Sequence, residues 1–487
     1  MNKSLLSREL ARLVRGRVVG EVDDADFQTA VRIDNGRINQ KPKLVVIPET
    51  IDDVLTTVKF ATRHDIRFTT KSGGHSAAGY CLNTGGLVMD LKQLNQMRLN
   101  PNTGVLKLQL GSRWSAVYDY MQTSRTGRIP VGGGCLSVGV AGFVLGGGYS
   151  FASRSYGLGC DNLRSLSIIT ADGAVRRLKR SNKDKNLDDL FWACCGGGGG
   201  NFGVAVEAEL QTHIPNSERM LVGQVLFPFY RIAEILAFYN KWVETLPDEM
   251  AVYGFIGNQT DPRNGNQPLM SLRFTPVYNG KFEDGLALLR PLLNLRPINS
   301  ALYDMTLPEW EKFIGSGTLV NGRSAYIRSL VMPTSSMTPD VATVFMEYMS
   351  RCPSRDTFLV WTHTGGAVSK IDSGATAYPH RRARFVPEVK AIWDLTKPDL
   401  MRANVEWAYK FFNDLSARAH AMGAYLNYID PLLSDWPQQY YGANYKRLEM
   451  VKKIWDKNDL FSFQQSVGTK FRPSKSMPLD LSPLQFT

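Results

Sequence analysis

The chain has 487 residues, of which 43% are hydrophobic and 10% aromatic, a composition typical of a folded globular protein and not of a disordered one. Its length exceeds what one ordinary core spans, so it predicts two domains, and none of its apolar runs is long enough to cross a bilayer. The net charge of +12 comes from basic residues spread along the chain, with a dense cluster only at residues 380–384, which argues against a nucleic-acid-binding protein.

The first seventy residues predict two helices and a strand. Residues 1–20 carry arginines through their apolar stretch, and no small-residue cleavage site follows, so they predict a first helix and a cytoplasmic protein rather than a secretion signal. Thr50 and Asp53 have the spacing of a capping box in front of an amphipathic helix. The segment IRFTTKSG (66–73) predicts a strand that ends in a glycine-rich loop.

Further strands are predicted up to about residue 214. They are GGLVMDLKQLNQMRLN (85–100), GVLKLQL (104–110), LRSLSIITADGAVRRLKR (163–180) and FGVAVEAELQTHI (202–214). The third of these predicts a hairpin that turns at Asp172–Gly173. Between the last two, DDLFWACC (188–195) predicts a short helix.

The composition changes between about residues 216 and 420. Glycine-rich loops become rare, and longer aromatic and amphipathic segments such as ILAFYNKWVETL (235–246) follow one another. This stretch predicts a second domain, packed tightly against the first because no low-complexity linker separates them. After it, GAYLNYIDPLL (423–433) predicts a strand, and NYKRLEMVKKIWDKNDLF (444–461) predicts a helix.

Four glycine-rich segments in the first half of the chain are candidates for ligand binding. They are residues 72–76, 130–150, 157–162 and 195–204. Such loops can be flexible turns, but the second is long and apolar, so its buried backbone groups would need a partner. Backbone N–H groups presented by several such loops suit an extended anionic ligand, for example a dinucleotide cofactor.

A G-x-G-x-x-G match within the last of these segments does not indicate a Rossmann domain. It is formed by Gly198, Gly200 and Gly203, and the residues after it alternate like a strand, whereas the dinucleotide-binding motif requires a helix there. The histidine of the first segment, His75, is surrounded by glycines and small residues. Such neighbours are needed where a backbone passes close to a ligand.

The six cysteines show no Cys-x-x-Cys pair and no zinc-type spacing, so the sequence predicts no metal site. Apart from Cys135, we expect them to be small buried residues in a reducing compartment.

The chain resembles the berberine bridge enzyme-like oxidases of the vanillyl-alcohol oxidase superfamily. The resemblance runs from VVIPETIDDV (45–54) through the glycine-rich segments to YLNYIDPLL (425–433) and the stretch 440–467. It implies an α+β fold. The FAD-binding domain would comprise residues 1–215 and a C-terminal segment, 421–487, that returns to the active site. Residues 216–420 would form an α/β substrate-binding domain with an antiparallel sheet.

The resemblance also implies FAD bound covalently through two residues. His75 matches the histidine that bonds to the 8α-methyl group of the flavin, and Cys135 matches the cysteine that bonds to carbon 6. Further residues at cofactor-binding positions of the family are Lys71, Ser72, Gly73, Gly74, Ser76, Gly133, Gly134, Val138, Gly139, Gly142, Gly147, Val204 and Asn444. Val138 matches the position at which the family associates valine with reactivity toward oxygen.

The chain departs from the family at several positions. Leu136 and Ser137 follow the cysteine where the family usually has proline and threonine. Phe143 replaces a histidine, which removes one candidate donor to the reduced flavin, and Ala77 replaces a tyrosine. Substrate contacts on that side are therefore left open.

The resemblance assigns the catalytic base to Tyr428, with Tyr425 nearby, Tyr156 close to the ring and Glu388 facing the substrate. In a strand, alternate side chains point to opposite faces, so only one of Tyr425 and Tyr428 would face the flavin unless the strand bends. A tyrosine has an ordinary pKa near ~10 and needs a positive neighbour or a strong hydrogen bond to act as a base.

The implied function is that of an oxidase which converts an alcohol of a sugar, oligosaccharide or hydroxylated secondary metabolite to a carbonyl and passes electrons to oxygen. Oxidative ring closure, a dehydrogenase and a flavin- or carbohydrate-binding protein without turnover are the alternatives. The expected partners are a small-molecule substrate and oxygen, without nucleic acid or membrane. The chain is expected to be a monomer or homodimer.

Overall fold

The computed structural model describes residues 5–20, 25–181, 183–261, 267–315 and 322–468. Within these residues the strands are, in chain order, β1 (Arg17–Gly20), β2 (Leu44–Ile47), β3 (Phe68–Lys71), β4 (Leu87–Asp90), β5 (Met97–Asn100), β6 (Val105–Gln109), β7 (Leu163–Ile169), β8 (Val175–Lys179), β9 (Val204–Gln211), β10 (Met220–Pro228), β11 (Met250–Asp261), β12 (Gln267–Tyr278), β13 (Asn299–Met305), β14 (Ser324–Ser329), β15 (Phe358–His363) and β16 (Phe385–Trp393).

The α-helices of the described residues are α1 (Leu5–Ala11), α2 (Ala25–Val31), α3 (Ile51–Arg63), α4 (Trp114–Ser124), α5 (Val140–Leu145), α6 (Ser153–Tyr156), α7 (Lys185–Cys194), α8 (Ile232–Trp242), α9 (Phe282–Leu293), α10 (Leu307–Ile314), α11 (Pro339–Ser350), α12 (Leu400–Arg418), α13 (Trp436–Tyr441) and α14 (Tyr445–Trp455). No helix in these ranges is both long and apolar enough to span a membrane.

A four-stranded sheet, in the order β1-β2-β4-β3, carries the loop with His75 at its edge. Its pairs β2–β4 and β3–β4 are parallel, so β3 and β4 are connected by a crossover that contains the loop. Helix α3 begins with the predicted capping box: the Thr50 side chain accepts from Asp53 N, and the Asp53 carboxylate accepts from Thr50 N at 3.0 Å. Both the helix and the strand expected here are confirmed.

The second sheet is antiparallel, in the order β5-β6-β9-β7-β8. Strands β7 and β8 form the predicted hairpin, in which Gly173 has a φ of +67°, a conformation that favours glycine. Strand β9 begins directly after Gly203, as the alternating pattern indicates. No helix follows the glycines, so the G-x-G-x-x-G match does not form a Rossmann phosphate site.

The third sheet has seven antiparallel strands, in the order β13-β10-β12-β11-β15-β16-β14. All of them come from residues 220–393. One face packs against α8, α11 and α12 in an aromatic core that includes Tyr239, Phe274 and Trp361. Because side chains alternate along a strand, the opposite face is free to form the wall of a cavity.

The C-terminal segment packs on the glycine-rich loop before β9. The ammonium group of Lys452 on α14 donates to Asn201 O over 2.9 Å, and Val467 N donates to Asn201 Oδ1 over 2.9 Å. The expectation of a strand at residues 423–433 is wrong, because residues 426–428 form a short 3₁₀ turn and only Gly423 makes a β-bridge, with Val331.

Candidate functional site

A cavity of about 430 Å³ lies between the glycine-rich loops, the C-terminal segment and the free face of the seven-stranded sheet. Three loops contribute residues 72–76, 133–135 and 198–201. The sheet contributes side chains from six of its strands, among them Arg273 and Glu388. The cavity is therefore built from parts of the chain that are several hundred residues apart.

The first two loops pack back to back. A Cβ added at Gly73 would collide with the backbone of Gly139, and one added at Gly139 would collide with the Ser72 side chain. These two glycines are therefore required by contact between the loops. By contrast, a Cβ on Gly142 would meet nothing within 4 Å, and one on Gly199 or Gly200 would meet a single side-chain atom at 3.6 Å or beyond.

The imidazole of His75 lies at the centre of this arrangement. Its Nε2 is 2.8 Å from Ser137 Oγ, and its Nδ1 is 3.6 Å from Asp34 Oδ2. Burial lowers the pKa of His75 to about 4, and the nearby Asp34 only partly offsets this. The ring is therefore neutral at physiological pH, with one nitrogen able to act as a nucleophile.

Cys135 lies next to His75 although sixty residues separate them in sequence. The sulfur of Cys135 is 3.8 Å from Ser137 Oγ, the same oxygen that contacts His75. Cys135 is a free, half-buried cysteine that lines the cavity. The two predicted attachment residues thus lie around one point of the cavity, joined through Ser137.

The residues present fit an extended anionic cofactor. Among the described residues, no acceptor takes a hydrogen bond from the backbone N–H groups of Gly73, Gly74 or His75. Gly74 is buried, and Gly73 and His75 are half-buried. Backbone donors away from water are almost always paired, so these three N–H groups are available to a ligand. Together with the open space over Gly142, Gly199 and Gly200, they form a cradle from His75 to the C-terminal segment.

Tyr425 and Tyr428 both line the cavity, because the chain bends between them instead of continuing as a strand. Their ring centres are 5.1 Å apart. The Tyr425 hydroxyl accepts from Gly148 N at 2.8 Å and from Asn427 Nδ2 at 2.9 Å, so it is held in place. The sequence predicts that only one of the two tyrosines faces the cavity unless the chain bends, and this bend is what brings both to it.

Glu388 on β16 faces Tyr428 across the cavity. Burial raises the pKa of Glu388, while Lys390, whose ammonium group is 3.7 Å away, and a hydrogen bond with Tyr428 act in the opposite direction. Burial and the Glu388 carboxyl raise the pKa of Tyr428 well above its ordinary value. Glu388 Oε2 is buried without a hydrogen bond from any described residue. The pair can accept and pass on a proton.

Most of the predicted cofactor residues line the cavity, including Ser72, Gly73, Gly74, Ser76, Gly133, Gly134, Val138, Gly139 and Gly142. Five predicted residues are not among the described residues that line it: Lys71, Gly147, Tyr156, Val204 and Asn444.

Each of these five residues makes contacts outside the cavity. The ammonium group of Lys71 donates to Ala30 O over 2.7 Å and pairs with Asp90. Tyr156 stacks on His213 with ring centres 4.1 Å apart and accepts from Asn279. The side chain of Asn444 donates to Ser373 O over 2.8 Å. Val204 is buried in the core, and the Gly147 backbone bonds to Val144 and Cys160.

Sequence reasoning missed the side chains that the sheet presents to the cavity. They include Gln224, Tyr253, Phe255, Arg273, Thr275 and Thr362. The alternation of β12, in which Leu272 and Phe274 are buried, is a signal that Arg273 and Thr275 lie on the other face. Asp34 was also missed, since only the fold brings it to His75.

Two family models match the chain. One, described as FAD binding domain, covers residues 42–179, and the other, described as berberine and berberine like, covers residues 424–468. The first match contains His75 and Cys135, and the second contains Tyr425 and Tyr428.

Curated relatives match nearly the whole chain. The uncharacterized FAD-linked oxidoreductase YgaK of Bacillus subtilis is 27% identical, over 93% of this chain and 96% of that protein. Xylooligosaccharide oxidase of Thermothelomyces thermophilus is 27% identical, over 91% of each chain. Reticuline oxidase of Papaver somniferum is 25% identical, over 88% of this chain and 84% of its own.

Solved structures share the fold. Physcomitrella patens BBE-like 1 superposes with a TM-score of 0.84 at 21% identity, over 95% of this chain and 99% of that one. The arrangement of the three sheets and the returning C-terminal segment is therefore a known fold.

Proposed function

Because the chain belongs to the berberine bridge enzyme-like FAD-linked oxidoreductases, we propose that it oxidises an alcohol of a sugar, oligosaccharide or hydroxylated secondary metabolite to a carbonyl, with oxygen as the electron acceptor. When bound, FAD supplies the redox chemistry, taking a hydride from the substrate and giving the electrons to oxygen to form hydrogen peroxide. The protein supplies the cofactor's attachment, the orientation of the substrate and a path for its proton.

In this proposal His75 and Cys135 both hold the cofactor covalently. A neutral imidazole and a thiol that share one serine contact are the side chains suited to this role, since each can act as a nucleophile from its own loop. Ser137 and Asp34 orient the imidazole from either side. Two attachments fix the cofactor firmly while leaving the sheet side of the cavity open to a bulky substrate.

Tyr428 and Glu388 act together in removing the hydroxyl proton of the substrate. The substrate hydroxyl gives its proton to the Tyr428 oxygen, and the Tyr428 proton passes to the Glu388 carboxylate. A phenol with a raised pKa is a weak base alone, so a carboxylate as the final acceptor is what permits the transfer near neutral pH. Tyr425, held by Gly148 and Asn427, keeps the turn in shape.

The observation that carries this proposal is the position of the Tyr428–Glu388 pair in the same cavity as His75 and Cys135. A binding protein without turnover has no need for a buried carboxyl beside a phenol opposite its cofactor. The substrate-side sheet offers the aromatic rings of Tyr253 and Phe255, which suit a sugar or an aromatic metabolite.

The test is anaerobic mixing of the flavin-loaded protein with a panel of oligosaccharides and hydroxylated aromatic compounds. We expect at least one alcohol to bleach the flavin absorbance within seconds, and admission of air to restore it with one hydrogen peroxide per carbonyl formed. Bleaching by a nicotinamide cofactor but by no alcohol would contradict the proposal. Reduced protein that persists in air yet reoxidises with a quinone would make it a dehydrogenase.

A further inference from the structure

The substrate side of the cavity contains a cation that has no acidic partner among the described residues. The guanidinium of Arg273 on β12 stacks on Phe255, with its central carbon 4.3 Å from the ring centre. One terminal nitrogen donates to Gln259 Oε1 over 3.1 Å, and Nε donates to none of the described residues. Gln259 is itself held by Ser271 over 3.0 Å. The guanidinium is thus fixed in place, and some of its donors have no acceptor in the part of the chain that the structure describes.

Two buried arginines of this chain show how such a charge is usually compensated. Arg328 pairs with Asp430 at 2.9 Å, and Arg381 pairs with Asp161 at 2.7 Å. Burial lowers the pKa of Arg273 to about 10, and no carboxylate among the described residues counteracts this. The group is still charged at neutral pH. A desolvated charge without a counter-ion is costly, so a bound anion is the missing partner.

The register of the sheet places Arg273 on one line with the proposed reaction centre. Arg273 pairs with Phe255, Phe255 with Val360, and Val360 with Glu388, so these four residues form one row across β12, β11, β15 and β16. Neighbouring strands lie about 4.8 Å apart, which puts the backbones of Arg273 and Glu388 about 14 Å apart. Phe255 and Val360 provide an aromatic and an apolar surface between the two ends.

We propose that the substrate is an elongated alcohol that carries a carboxylate, with the carboxylate bound by Arg273 and the oxidised carbon at Tyr428 and Glu388. This inference rests on the oxidase function proposed above and narrows its substrate class. Planar carboxylates match the guanidinium fork, and the row length requires a molecule as long as a short oligosaccharide. An acidic oligosaccharide that ends in a uronic acid has both properties. Lys390, the other cation of this wall, is occupied by Glu388.

The experiment compares two compounds that differ in one group: a neutral oligosaccharide and the same oligosaccharide ending in a uronic acid. Flavin bleaching is followed anaerobically with each compound over a range of concentrations. For the unmodified protein, we expect half-saturation by the acidic compound at about 10- to 100-fold lower concentration, the usual effect of one charge-assisted hydrogen bond. Arg273→Gln should remove this preference, so that the acidic and the neutral compound half-saturate at similar concentrations.

Two further variants make the comparison specific. Arg273→Lys keeps the charge but not the fork, so it should retain part of the preference. Arg231→Gln is the matched control, because Arg231 also lies over a phenylalanine of this sheet but pairs with Glu234 away from the cavity. We expect it to behave like the unmodified protein. If Arg273→Gln does not fold, the preference of the unmodified protein and the Arg273→Lys variant still decide the matter.

Equal half-saturation by both compounds in the unmodified protein would overturn the inference, as would an unchanged preference in Arg273→Gln. Should neither compound bleach the flavin, these oligosaccharides would be excluded as substrates, and a second measurement would test the anion site by itself. The oxidised, flavin-loaded protein is melted with and without glutarate. If glutarate raises the melting temperature of the unmodified protein and of Arg231→Gln, but not of Arg273→Gln, the carboxylate site is supported. Equal shifts in all three proteins would overturn it.

Discussion

Replacing Glu311 by glutamine should change how the stability of the protein depends on pH. Glu311 lies on α10, fully buried, and neither of its carboxylate oxygens has a hydrogen-bond partner among the described residues. It abuts the loop of Cys135, since a Cβ added at Gly134 would lie 2.9 Å from Glu311 Oε2. Burial raises the pKa of this carboxyl from 4.5 to about 8.

The sign and size of the effect follow from this pKa. A carboxyl whose folded pKa is raised contributes stability that is fully present below its unfolded pKa and is lost as the pH rises through the folded value. For Glu311 the loss falls between about pH 4.5 and about pH 8. One pKa unit corresponds to about 1.4 kcal/mol, so the protein should lose about 4 kcal/mol from this group between about pH 5 and about pH 9. Glutamine cannot ionise and avoids the loss.

The assay is urea unfolding of the unmodified protein and of Glu311→Gln at a series of pH values, followed by tryptophan fluorescence. We expect the difference in free energy of unfolding between the two proteins to shift by about 4 kcal/mol in favour of the variant from about pH 5 to about pH 9. Glu218→Gln, at an exposed position, serves as the control and should show no such trend. A difference for Glu311→Gln that stays constant over this range would refute the reasoning.

Three further predictions concern turnover. Tyr428→Phe should slow flavin reduction by about 10²- to 10⁴-fold with little change in substrate binding, and Tyr425→Phe should slow it less. Near-normal flavin reduction by Tyr428→Phe in stopped-flow measurements would show that the proton does not pass through this phenol. Burial raises the pKa of Glu388, so the carboxyl becomes protonated at a higher pH than an ordinary glutamate. The rate of flavin reduction should therefore fall as the pH drops through this raised pKa. Glu388→Gln should abolish this acidic limb of the pH profile. Val138→Ile should slow reoxidation by air and spare reduction, and equal slowing of both half-reactions would count against a gate for oxygen at this position.

The elements with strong local signals could be predicted from the sequence. The Thr50–Asp53 capping box, the hairpin turn at Gly173 and the strand after Gly203 each depend on neighbouring residues only, and the structure contains all three. The turn at residues 426–428 could not be predicted in this way. Its bend is held by distant groups: Asn427 donates to Phe143 O over 3.1 Å, and Gly423 bridges to Val331.

The site could be predicted only where neighbouring residues in the sequence identify a side chain. His75 and Cys135 lie in family motifs, and both line the cavity. Tyr156 and Asn444 also lie in such motifs, but neither is among the described residues that line it. Tyr156 stacks on His213, and Asn444 donates to the backbone of Ser373. Arg273 lies in no motif. Its importance depends on the register of four strands and on the absence of a carboxylate partner among the described residues, and neither can be read from neighbouring residues.

The central claim is that His75 and Cys135 both attach the flavin, and denaturation of four proteins tests it most directly. Four proteins are precipitated with acid: the unmodified protein, His75→Ala, Cys135→Ala and the double variant. Flavin absorbance is then measured in the pellet and in the supernatant. Cys81→Ala, which removes another half-buried cysteine of the cavity, is the control and should behave like the unmodified protein. We predict yellow pellets, with altered spectra, for both single variants and a colourless pellet for the double variant alone. A colourless pellet from either single variant would contradict attachment through two residues.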